Sequence, residues 1–468
     1  MKLDTPVVRL IVLIADSLVC FGPFYLYDTL VSSQPLLLGA PCNSSDADAS
    51  PARNCCRECL GYNPLEYNLL LGLPIGLSAG AGLLAGYIID RFGFRTFTLI
   101  TACCPIAGAV LRAVAIRPGL PHALMLAGGV VVDNVFTVLC IIRIYICTRW
   151  FRGPTLGFAV GLTMSVSMCG SILAYYMNVP LARLIGFEAM FWCAVPIAGS
   201  ALVFAAIIVC MDVVSQDAER SLDRKQGPAF SLASVRRFPW RFWAVCLVIA
   251  LAWLLFYAFL GNSVSIQTDI FQVDVEFASF STGLMYIVNI AVPPLAGTLA
   301  TRCGLAGLLV VLGCLANLAG FALIVWPAAE PLVCVFAISL AFATAYPVLS
   351  SVLADLVDEG SLASANGIMN CAICCAIALG DAVVGVIANG GRTRRQGWER
   401  SGLFLMGVAG LQSAVVVGLM VADAVCEEKI LSRRGGQRAA AEEETQLLLK
   451  ESGERSGRSL ESSFRGPM

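Results

Sequence analysis

Long uncharged segments are the feature that most limits what this chain can fold into. Nine of them exceed twenty residues, among them 67–89, 153–182, 242–268 and 401–422. A helix rises about 1.5 Å per residue, so each segment can cross the roughly 30 Å hydrocarbon core of a bilayer. Three further apolar segments carry isolated charges, at 7–28, 96–116 and 121–147. The sequence therefore predicts an all-α membrane protein with twelve transmembrane helices.

The composition supports this fold class. Hydrophobic residues make up 58% of the 468 residues and charged residues only 13%, far outside the range of soluble globular proteins. The formal net charge of −1 gives no electrostatic reason to expect nucleic acid as a partner. The sequence carries no metal-ligand motif, nucleophile triad or phosphate-cradling loop that would indicate an enzyme or a cofactor.

The most charged interruption between apolar segments is residues 212–240, which divide the chain into two sets of six spans. This predicts an N-terminal six-helix half at 1–211, a cytosolic linker at 212–240 and a C-terminal six-helix half at 241–425. Residues 426–468 are expected to form a disordered cytosolic tail, because they are rich in polar and charged residues.

Basic residues in the short loops predict the orientation, since cytosolic loops are enriched in Arg and Lys. They occur after spans 2, 4, 8 and 12, at Arg91, Arg95, Arg149, Arg152, Arg302, Arg433 and Arg434. These loops and both termini are therefore expected to face the cytosol. One loop disagrees, because Arg392, Arg394, Arg395 and Arg400 lie between spans 11 and 12, on the opposite side.

The polar loop at about 31–66 carries the sequon Asn43-Ser44-Ser45 and four cysteines, Cys42, Cys55, Cys56 and Cys59. A glycan acceptor beside several cysteines suits an oxidising lumen or exterior. The sequence thus predicts a lumenal loop that is glycosylated at Asn43. A chance sequon with reduced thiols is the alternative.

Two segments with a common pattern follow spans 2 and 8. The first contains Gly86, Asp90, Arg91, Gly93 and Arg95, and the second contains Gly297, Thr301, Arg302 and Gly304. Glycine permits close helix packing, aspartate can cap or pair at a helix end, and the arginines supply cations. Together these residues could lock two helices on the inner face in one transport state.

The first segment resembles the loop between helices 2 and 3 of the major facilitator superfamily. Ordinary charge chemistry of a cytosolic loop is the alternative. The second copy has Thr301 where the first has Asp90, so a weaker lock is expected there. Such a recurrence is what two parallel repeats about a membrane-normal axis predict.

Scattered residues, in order along the chain, resemble the lysosomal dipeptide transporter family (major facilitator superfamily domain-containing protein 1). They are Gly22, Phe24, Tyr27, Asp28, Trp150, Phe151, Arg152, Gly153, Asp217, Glu219 and Arg220. The resemblance implies export of dipeptides from the lysosome and a lumenal glycoprotein partner. Without it, the same residues are interfacial aromatics and loop charges. Where members carry a Gly-Arg pair and a downstream Glu in helix 4, this chain has Gly128-Gly129 and Thr137.

Charged residues inside a membrane are costly and usually line a polar cavity. By residue count, Asp16 lies about 14 Å and Asp133 about 18 Å from the span end, near the midplane of helices 1 and 4. Each could hold a substrate amine or carry a coupled proton, or could be a structural carboxylate bonded between helices. Asp381 in span 11 is a third, weaker candidate, expected nearer the lumenal end.

Four further side chains in the spans are candidates for the substrate site. Arg143 could pair with a substrate carboxylate, or it could snorkel to the cytosolic interface. Trp253, Tyr257 and Tyr346 could stack on the substrate, or they could be packing residues. The only histidine, His122, lies at the lumenal mouth of span 4, where it could sense pH or be a solvated loop residue.

In the tail, Glu443, Leu447 and Leu448 resemble an acidic dileucine signal that would bind a sorting adaptor and direct the protein to the endolysosome.

Taken together, the sequence predicts a major facilitator transporter in the lysosomal or endolysosomal membrane, with the plasma membrane as the alternative. Its expected cargo is a small polar solute, and a dipeptide is the first candidate. An amino-acid carrier of the same fold and a non-transporting scaffold or receptor are the alternatives.

Overall fold

The computed structural model describes residues 6–39, 60–92, 94–117, 122–151, 154–216, 238–303, 305–357 and 362–425. Span 1 consists of the helices Pro6–Val19 and Phe21–Ser32, and a short helix, Gln34–Leu38, follows it. Spans 2 to 6 are Pro64–Phe92, Phe94–Ala115, His122–Trp150, Pro154–Ile185 and Phe187–Gln216. Spans 7 to 12 are Trp240–Ile270, Val275–Cys303, Ala306–Val325, Pro331–Asp355, Leu362–Asn389 and Arg394–Val425.

These helices confirm the predicted fold class. Eleven spans are long and apolar enough to cross a membrane on their described residues alone. Span 2 is a helix of 29 residues. The bundle end that carries Gln34–Leu38 is called the non-cytosolic end, after the orientation predicted from the basic loops, and the opposite end is called the cytosolic end.

Span 1 differs from the single helix expected, because it breaks at Cys20. Pro23 has no N–H group to donate to the carbonyl of Val19, so the helical hydrogen bonds are interrupted there. The helix resumes with the Phe24 amide bonded to the Cys20 carbonyl at 3.0 Å. The break lies where span 5 is closest, since a Cβ atom added to Gly170 would overlap the carbonyl oxygen of Phe21.

The largest hydrophobic core lies between the two halves. It joins side chains of the N-terminal half, such as Tyr67 and Tyr175, to side chains of the C-terminal half, such as Phe259 and Tyr286. Large apolar side chains also cover the outside of the bundle, and Leu379 is 66% exposed. An apolar exterior is what a protein dissolved in lipid requires.

Spans 2 and 11 form the longest contact between the halves, and spans 5 and 8 form another. At the non-cytosolic end, the Tyr67 hydroxyl donates to the Gly261 carbonyl at 2.7 Å, and the side chains of Asn68 and Asn262 bond to each other. On the rim, Arg183 of span 5 pairs with Glu276 of span 8. These polar contacts hold the halves together at the non-cytosolic end.

Three of the four arginines predicted between spans 11 and 12 lie in the first turns of span 12, and their side chains are bonded to oxygen atoms of the protein. Arg394 donates to the carbonyl of Leu38 in the other half, and Arg400 donates to the carbonyl of Gly390 at 3.4 Å. Arg395 pairs with Glu399 at 2.8 Å. Arg394 and Arg400 therefore bond carbonyl groups at helix ends, which accounts for two of the four positive charges that depart from the charge bias of the other loops.

Span 6 extends to Gln216, so Asp212, which the sequence placed in the linker, belongs to a transmembrane helix. The remaining linker residues 217–237 lie outside the described residues. The same is true of Asn43 and its neighbouring cysteines, and of Glu443, Leu447 and Leu448 in the tail. Glycosylation and sorting therefore stay predictions.

Candidate functional site

A buried carboxylate lies between the two halves. Asp28, near the end of span 1, is fully buried, and both of its oxygens accept the hydroxyl of Tyr286 of span 8, at 3.0 and 2.8 Å. The ring of Tyr286 packs on Tyr175 of span 5, with centroids 5.9 Å apart. The acid of span 1 is therefore bonded by a side chain of span 8, which in turn packs on span 5, so the arrangement joins both halves.

Aromatic side chains extend from this acid into the C-terminal half and form the central aromatic cluster, which consists of Tyr27, Trp253, Tyr257, Phe342 and Tyr346. Tyr27 and Tyr257 meet across the halves at 5.8 Å, and Trp253 stacks on Tyr257 at 5.4 Å. Trp253 also meets Phe342 and Tyr346 edge-on, each at 5.1 Å. The structure thus brings together all three aromatic residues predicted from spans 7 and 10.

Within this cluster, the indole N–H of Trp253 is buried and has no hydrogen-bond partner. A buried donor without a partner is unfavourable, because it has lost its bonds to water and gained none. This donor is therefore available to an oxygen atom of a bound solute.

Two side chains of opposite charge are buried inside the N-terminal half. Arg112 of span 3 and Asp133 of span 4 lie within electrostatic range of each other without forming a direct ion pair. Arg112 donates one bond, to the Leu26 carbonyl at 2.7 Å, whereas its Nε and Nη2 have no hydrogen-bond partner. Asp133 also has one carboxylate oxygen, Oδ2, without a partner. The pair thus retains donors and an acceptor for a ligand.

Arg112 was not predicted as a site residue, and the structure shows why it reaches the site. A Cβ atom on Gly129 of span 4 would lie 3.3 Å from Nη2 of Arg112. The arginine of span 3 therefore lies against span 4 at Gly129, the second residue of the glycine pair. A larger residue at position 129 would compete with the guanidinium for this space.

Asp133 lies within electrostatic range of the central aromatic cluster. The electrostatic environment of Tyr257 includes both Asp28 and Asp133, and that of Arg112 includes Tyr27. Thr137 lies one turn further along span 4, and its hydroxyl donates to the Asp133 carbonyl at 3.1 Å.

Asp16 and Arg143 are buried inside the N-terminal half, beside cysteines of spans 1 and 4. The Asp16 carboxylate accepts the thiol of Cys147 at 3.2 Å. Arg143 is 5% exposed and contacts the sulfur of Met164 at 3.2 Å, so its guanidinium lies inside the bundle. Its role stays a prediction. This arrangement fits the structural alternative for Asp16, whose role stays a prediction.

The gating motif is described in part. Arg95 of span 3 donates from Nε to Asp212 at the end of span 6, at 2.9 Å, and so ties two helices at the cytosolic end. Gly297 of span 8 has open space at its α-carbon. Gly93 and Gly304 lie outside the described residues, as do the side chains of Asp90, Arg91 and Arg302 and the surroundings of Gly86.

His122 begins span 4 at the non-cytosolic end. Its ring lies on that of Tyr62, with centroids 4.0 Å apart, and its Nε2 is 3.4 Å from an oxygen of Glu66. His122 is thus a half-exposed residue that contacts span 2.

Twelve membrane-spanning helices in two halves, with buried charges and aromatic rings between them, have the architecture of a secondary transporter. A family model for the Major Facilitator Superfamily matches residues 20–381. The chain therefore belongs to this superfamily, and it is a membrane transporter.

Curated relatives are similar over most of the chain. The lysosomal dipeptide transporter MFSD1 of Pongo abelii is 21% identical over 374 residues, which cover 77% of this chain and 76% of the relative. The protein of the same name from Homo sapiens has the same identity and coverage. That from Danio rerio is 22% identical over 297 residues, which cover 61% of this chain and 64% of the relative.

Two solved structures share the fold. Both are of a bacterial homologue of the human lysosomal transporter Spinster, in inward-facing conformations. The unoccupied form has a TM-score of 0.63 at 14% identity, over 88% of this chain and 98% of that chain. The occupied form has a TM-score of 0.65 at 15% identity, over 88% and 97%.

Proposed function

We propose that this transporter exports dipeptides from the lysosome to the cytosol and binds both charged ends of the dipeptide in the N-terminal half. The observation that carries this proposal is the buried pair Arg112 and Asp133, which keeps unpaired donors and an unpaired acceptor. The relatives named as lysosomal dipeptide transporters support the cargo and the compartment.

The chemistry of the pair fits a zwitterion. A guanidinium fork matches a carboxylate, and a carboxylate matches an ammonium group. Isolated charges inside a membrane are unfavourable, so a ligand that carries both opposite charges stabilises both groups at once. A ligand lacking either charge would leave one buried group unpaired.

The central aromatic cluster supplies the other part of the proposed site. Aromatic faces accept apolar side chains and cations of many shapes. The unpaired indole N–H of Trp253 can donate to a carbonyl oxygen, and a dipeptide has a peptide carbonyl between its charged ends. These properties favour a carrier that fixes the termini and the peptide bond and tolerates varied side chains.

Uptake of modified dipeptides into proteoliposomes tests this proposal. A free dipeptide, its C-terminal amide and its N-acetyl derivative are compared in the wild type, in Arg112→Gln and in Asp133→Asn. We expect each modification to lower wild-type uptake roughly ten- to a hundredfold, the value of one charge-assisted contact. Arg112→Gln should lose the preference for a free carboxylate, and Asp133→Asn the preference for a free amine.

Arg117→Gln is the matched control, because this exposed arginine near the end of span 3 pairs with Glu188 rather than with the proposed site. Wild-type preferences in both site variants would contradict the assignment of the two charges. Free amino acids that compete as well as dipeptides would favour the amino-acid carrier. Absence of flux for every solute tested would favour the scaffold or receptor.

The proposal also includes residence in the lysosomal membrane, a lumenal glycoprotein partner and a sorting adaptor. The names of the relatives support the compartment. The dileucine sequence supports the adaptor, and the sequence resemblance supports the glycoprotein partner. Co-purification of a lumenal glycoprotein that depends on the 31–66 loop would test the partner.

A further inference from the structure

In the contact between spans 2 and 11, the described neighbours of the acid Asp381 are small or uncharged. A Cβ atom on Gly72 would lie 2.9 Å from the Cβ of Asp381, and one on Gly76 would lie 2.9 Å from Ala378. A Cβ atom on Gly385, one turn beyond Asp381, would also lie 2.9 Å from the Cβ of Asn68. Small residues on both helices thus let the two backbones approach closely at Asp381.

The carboxyl group of Asp381 is enclosed. Asp381 is 1% exposed, and its Oδ1 atom is buried without a hydrogen-bond partner. The titratable groups facing it are the phenols of Tyr27 on span 1 and Tyr67 on span 2. The neighbouring residue Gly380 packs on Leu254 of span 7. At the ends of spans 7 and 12, Asp269 accepts the indole N–H of Trp398, and Arg394 donates to Leu38.

An aspartate in these surroundings is stable only without its charge. Burying a charge between helices is unfavourable unless a partner of opposite charge compensates it. No cation among the described residues pairs with Asp381. A proton removes the charge and turns one oxygen into a donor, so the neutral acid fits the closed interface.

A proton fits this site better than a metal ion does. Sodium, calcium and magnesium ions need several oxygen ligands at short distance. Gly72 of span 2 packs against the Cβ of Asp381, and the nearby side chain of Leu254 is apolar. Among the described residues, the side-chain oxygens facing the acid are the two phenols of Tyr27 and Tyr67, which are fewer ligands than these ions need.

The position of the acid links its charge to the movement of the halves. Asp381 lies eight residues before the end of span 11, about 12 Å below the non-cytosolic end. Opening that end would part spans 2 and 11 and expose the carboxyl group to water, where the charged form is stable. Closing the end would return it to the uncharged interface.

We propose that Asp381 is a proton-binding site that must be filled for the two halves to close at the non-cytosolic end. Acid on that side would then favour closure and deliver loaded carriers towards the cytosol. Closure of the halves by proton binding does not depend on which solute is carried. Only the advantage that this closure gives to export rests on the proposed function.

The test measures closure directly in proteoliposomes without substrate. Fluorophores are placed on genetically encoded non-natural residues at Leu184 and Trp326, which are 81% and 61% exposed and lie at the non-cytosolic end of opposite halves. Such residues avoid labelling any of the 20 native cysteines. Energy transfer between the fluorophores gives the ratio of closed to open molecules between about pH 5 and about pH 8.

In the wild type, we expect this ratio to fall as pH rises, by at most about tenfold per pH unit for one linked proton. Asp381→Asn, which mimics the protonated acid, should stay at the low-pH ratio and vary by less than about twofold over the range. Asp381→Ser, which is neutral and smaller, provides the same comparison if the amide does not fold. Glu399→Gln, which neutralises a more exposed acid at the same end, should follow the wild type.

A wild-type ratio that does not change with pH would overturn the proposal, as would a neutral Asp381 variant that keeps the wild-type response. Dipeptide flux is measured in the same preparations. Loss of all dipeptide flux with a normal pH response would contradict the proposed cargo and leave the proton site standing. Normal dipeptide flux together with a closed-to-open ratio that does not change with pH would contradict the proton site and leave the proposed cargo standing.

Discussion

The hydroxyl of Tyr286 lies 3.0 and 2.8 Å from the two carboxylate oxygens of Asp28. The two residues belong to different halves, so this hydrogen bond can exist only while spans 1 and 8 are close. Inside a membrane, a carboxylate has few other donors available, which raises the value of each one. The pair is thus a contact that both fixes the acid and depends on the conformation of the carrier.

We first predict that Tyr286→Phe slows transport. The substitution keeps the ring that packs on Tyr175 and removes only the donor to Asp28. A hydrogen bond to a charged group contributes about 1.5 to 3 kcal/mol, so flux should fall on the order of tenfold or more. Tyr176→Phe is the control, because its ring packs edge-on to Phe280 at 5.1 Å and this contact needs no hydroxyl. Equal flux in both variants would argue against the bond.

The second prediction separates two acids that lie at similar depth. Asp133→Asn should lower the apparent affinity for the solute roughly ten- to a hundredfold, because Asp133 has an unpaired oxygen and lies within electrostatic range of both Arg112 and Tyr257. Asp16 also has an unpaired oxygen, but its other oxygen accepts the thiol of Cys147 within the N-terminal half, so Asp16→Asn should lower the affinity much less. Uptake against solute concentration, normalised to the amount of folded protein, measures both. An equal loss of affinity in the two variants would indicate that Asp16 also belongs to the transport site.

The spans could be predicted from the sequence because membrane crossing depends on the length and apolarity of a segment, both of which are local properties. The break at Cys20 could not, since an apolar segment tolerates proline when neighbouring helices complete the packing. Whether Pro23 bends the helix or breaks it depends on Gly170 of span 5, which is distant in sequence.

Counting residues along a span predicts how deep a side chain lies in the membrane, but not which side of the helix it is on. Depth places Asp16 and Asp133 together near the midplane, but Asp16 accepts the thiol of Cys147, whereas Asp133 lies within electrostatic range of Arg112. The weak amphipathic pattern of transmembrane helices explains this, because lipid and protein interior are both apolar.

Arg112 shows a further limit of prediction from depth. It lies near the end of span 3, where a long side chain would be expected to extend to the interface. The structure turns it inward, since the glycines of span 4 leave space against its backbone and guanidinium. The signal in the sequence was the pair Gly128-Gly129 in the neighbouring span, which was noted only as a departure from the resembled family.

The third prediction is that Asn43 carries a glycan. It follows from the sequon and from the side predicted for its loop. Treatment with an N-glycosidase should increase the mobility of the wild type on a denaturing gel. Asn43→Gln and Ser45→Ala should both abolish this shift, because each destroys the sequon. A shift that persists in both variants, or none in the wild type, would contradict the prediction.

The fourth prediction is that Leu447→Ala combined with Leu448→Ala moves the protein from the endolysosome to the cell surface. The two leucines beside Glu443 would no longer engage the adaptor. Surface biotinylation and organelle staining measure the change. Leu460→Ala, which alters a leucine of the same tail outside the motif, should leave the location unchanged. Unaltered organelle staining in the double variant would refute the sorting role.

The fifth prediction concerns the packing that holds span 1 in place. Gly170→Ala should destabilise the protein by about 1 to 3 kcal/mol, because its methyl group would meet the carbonyl oxygen of Phe21, a backbone atom with little freedom to move. Gly161→Ala in the same span is the matched control, since its α-carbon faces open space and the change should stay within about 0.5 kcal/mol.

Thermal unfolding in detergent, followed by the fraction that remains monodisperse after heating, compares these two variants. Transport should also fall in Gly170→Ala, since a displaced span 1 moves Tyr27 and Asp28 away from their partners in the C-terminal half. Raising the temperature should widen the difference in flux between Gly170→Ala and the wild type. Equal stability of Gly170→Ala and Gly161→Ala would mean that spans 1 and 5 are not packed this closely, and that the position of Asp28 is set by other contacts.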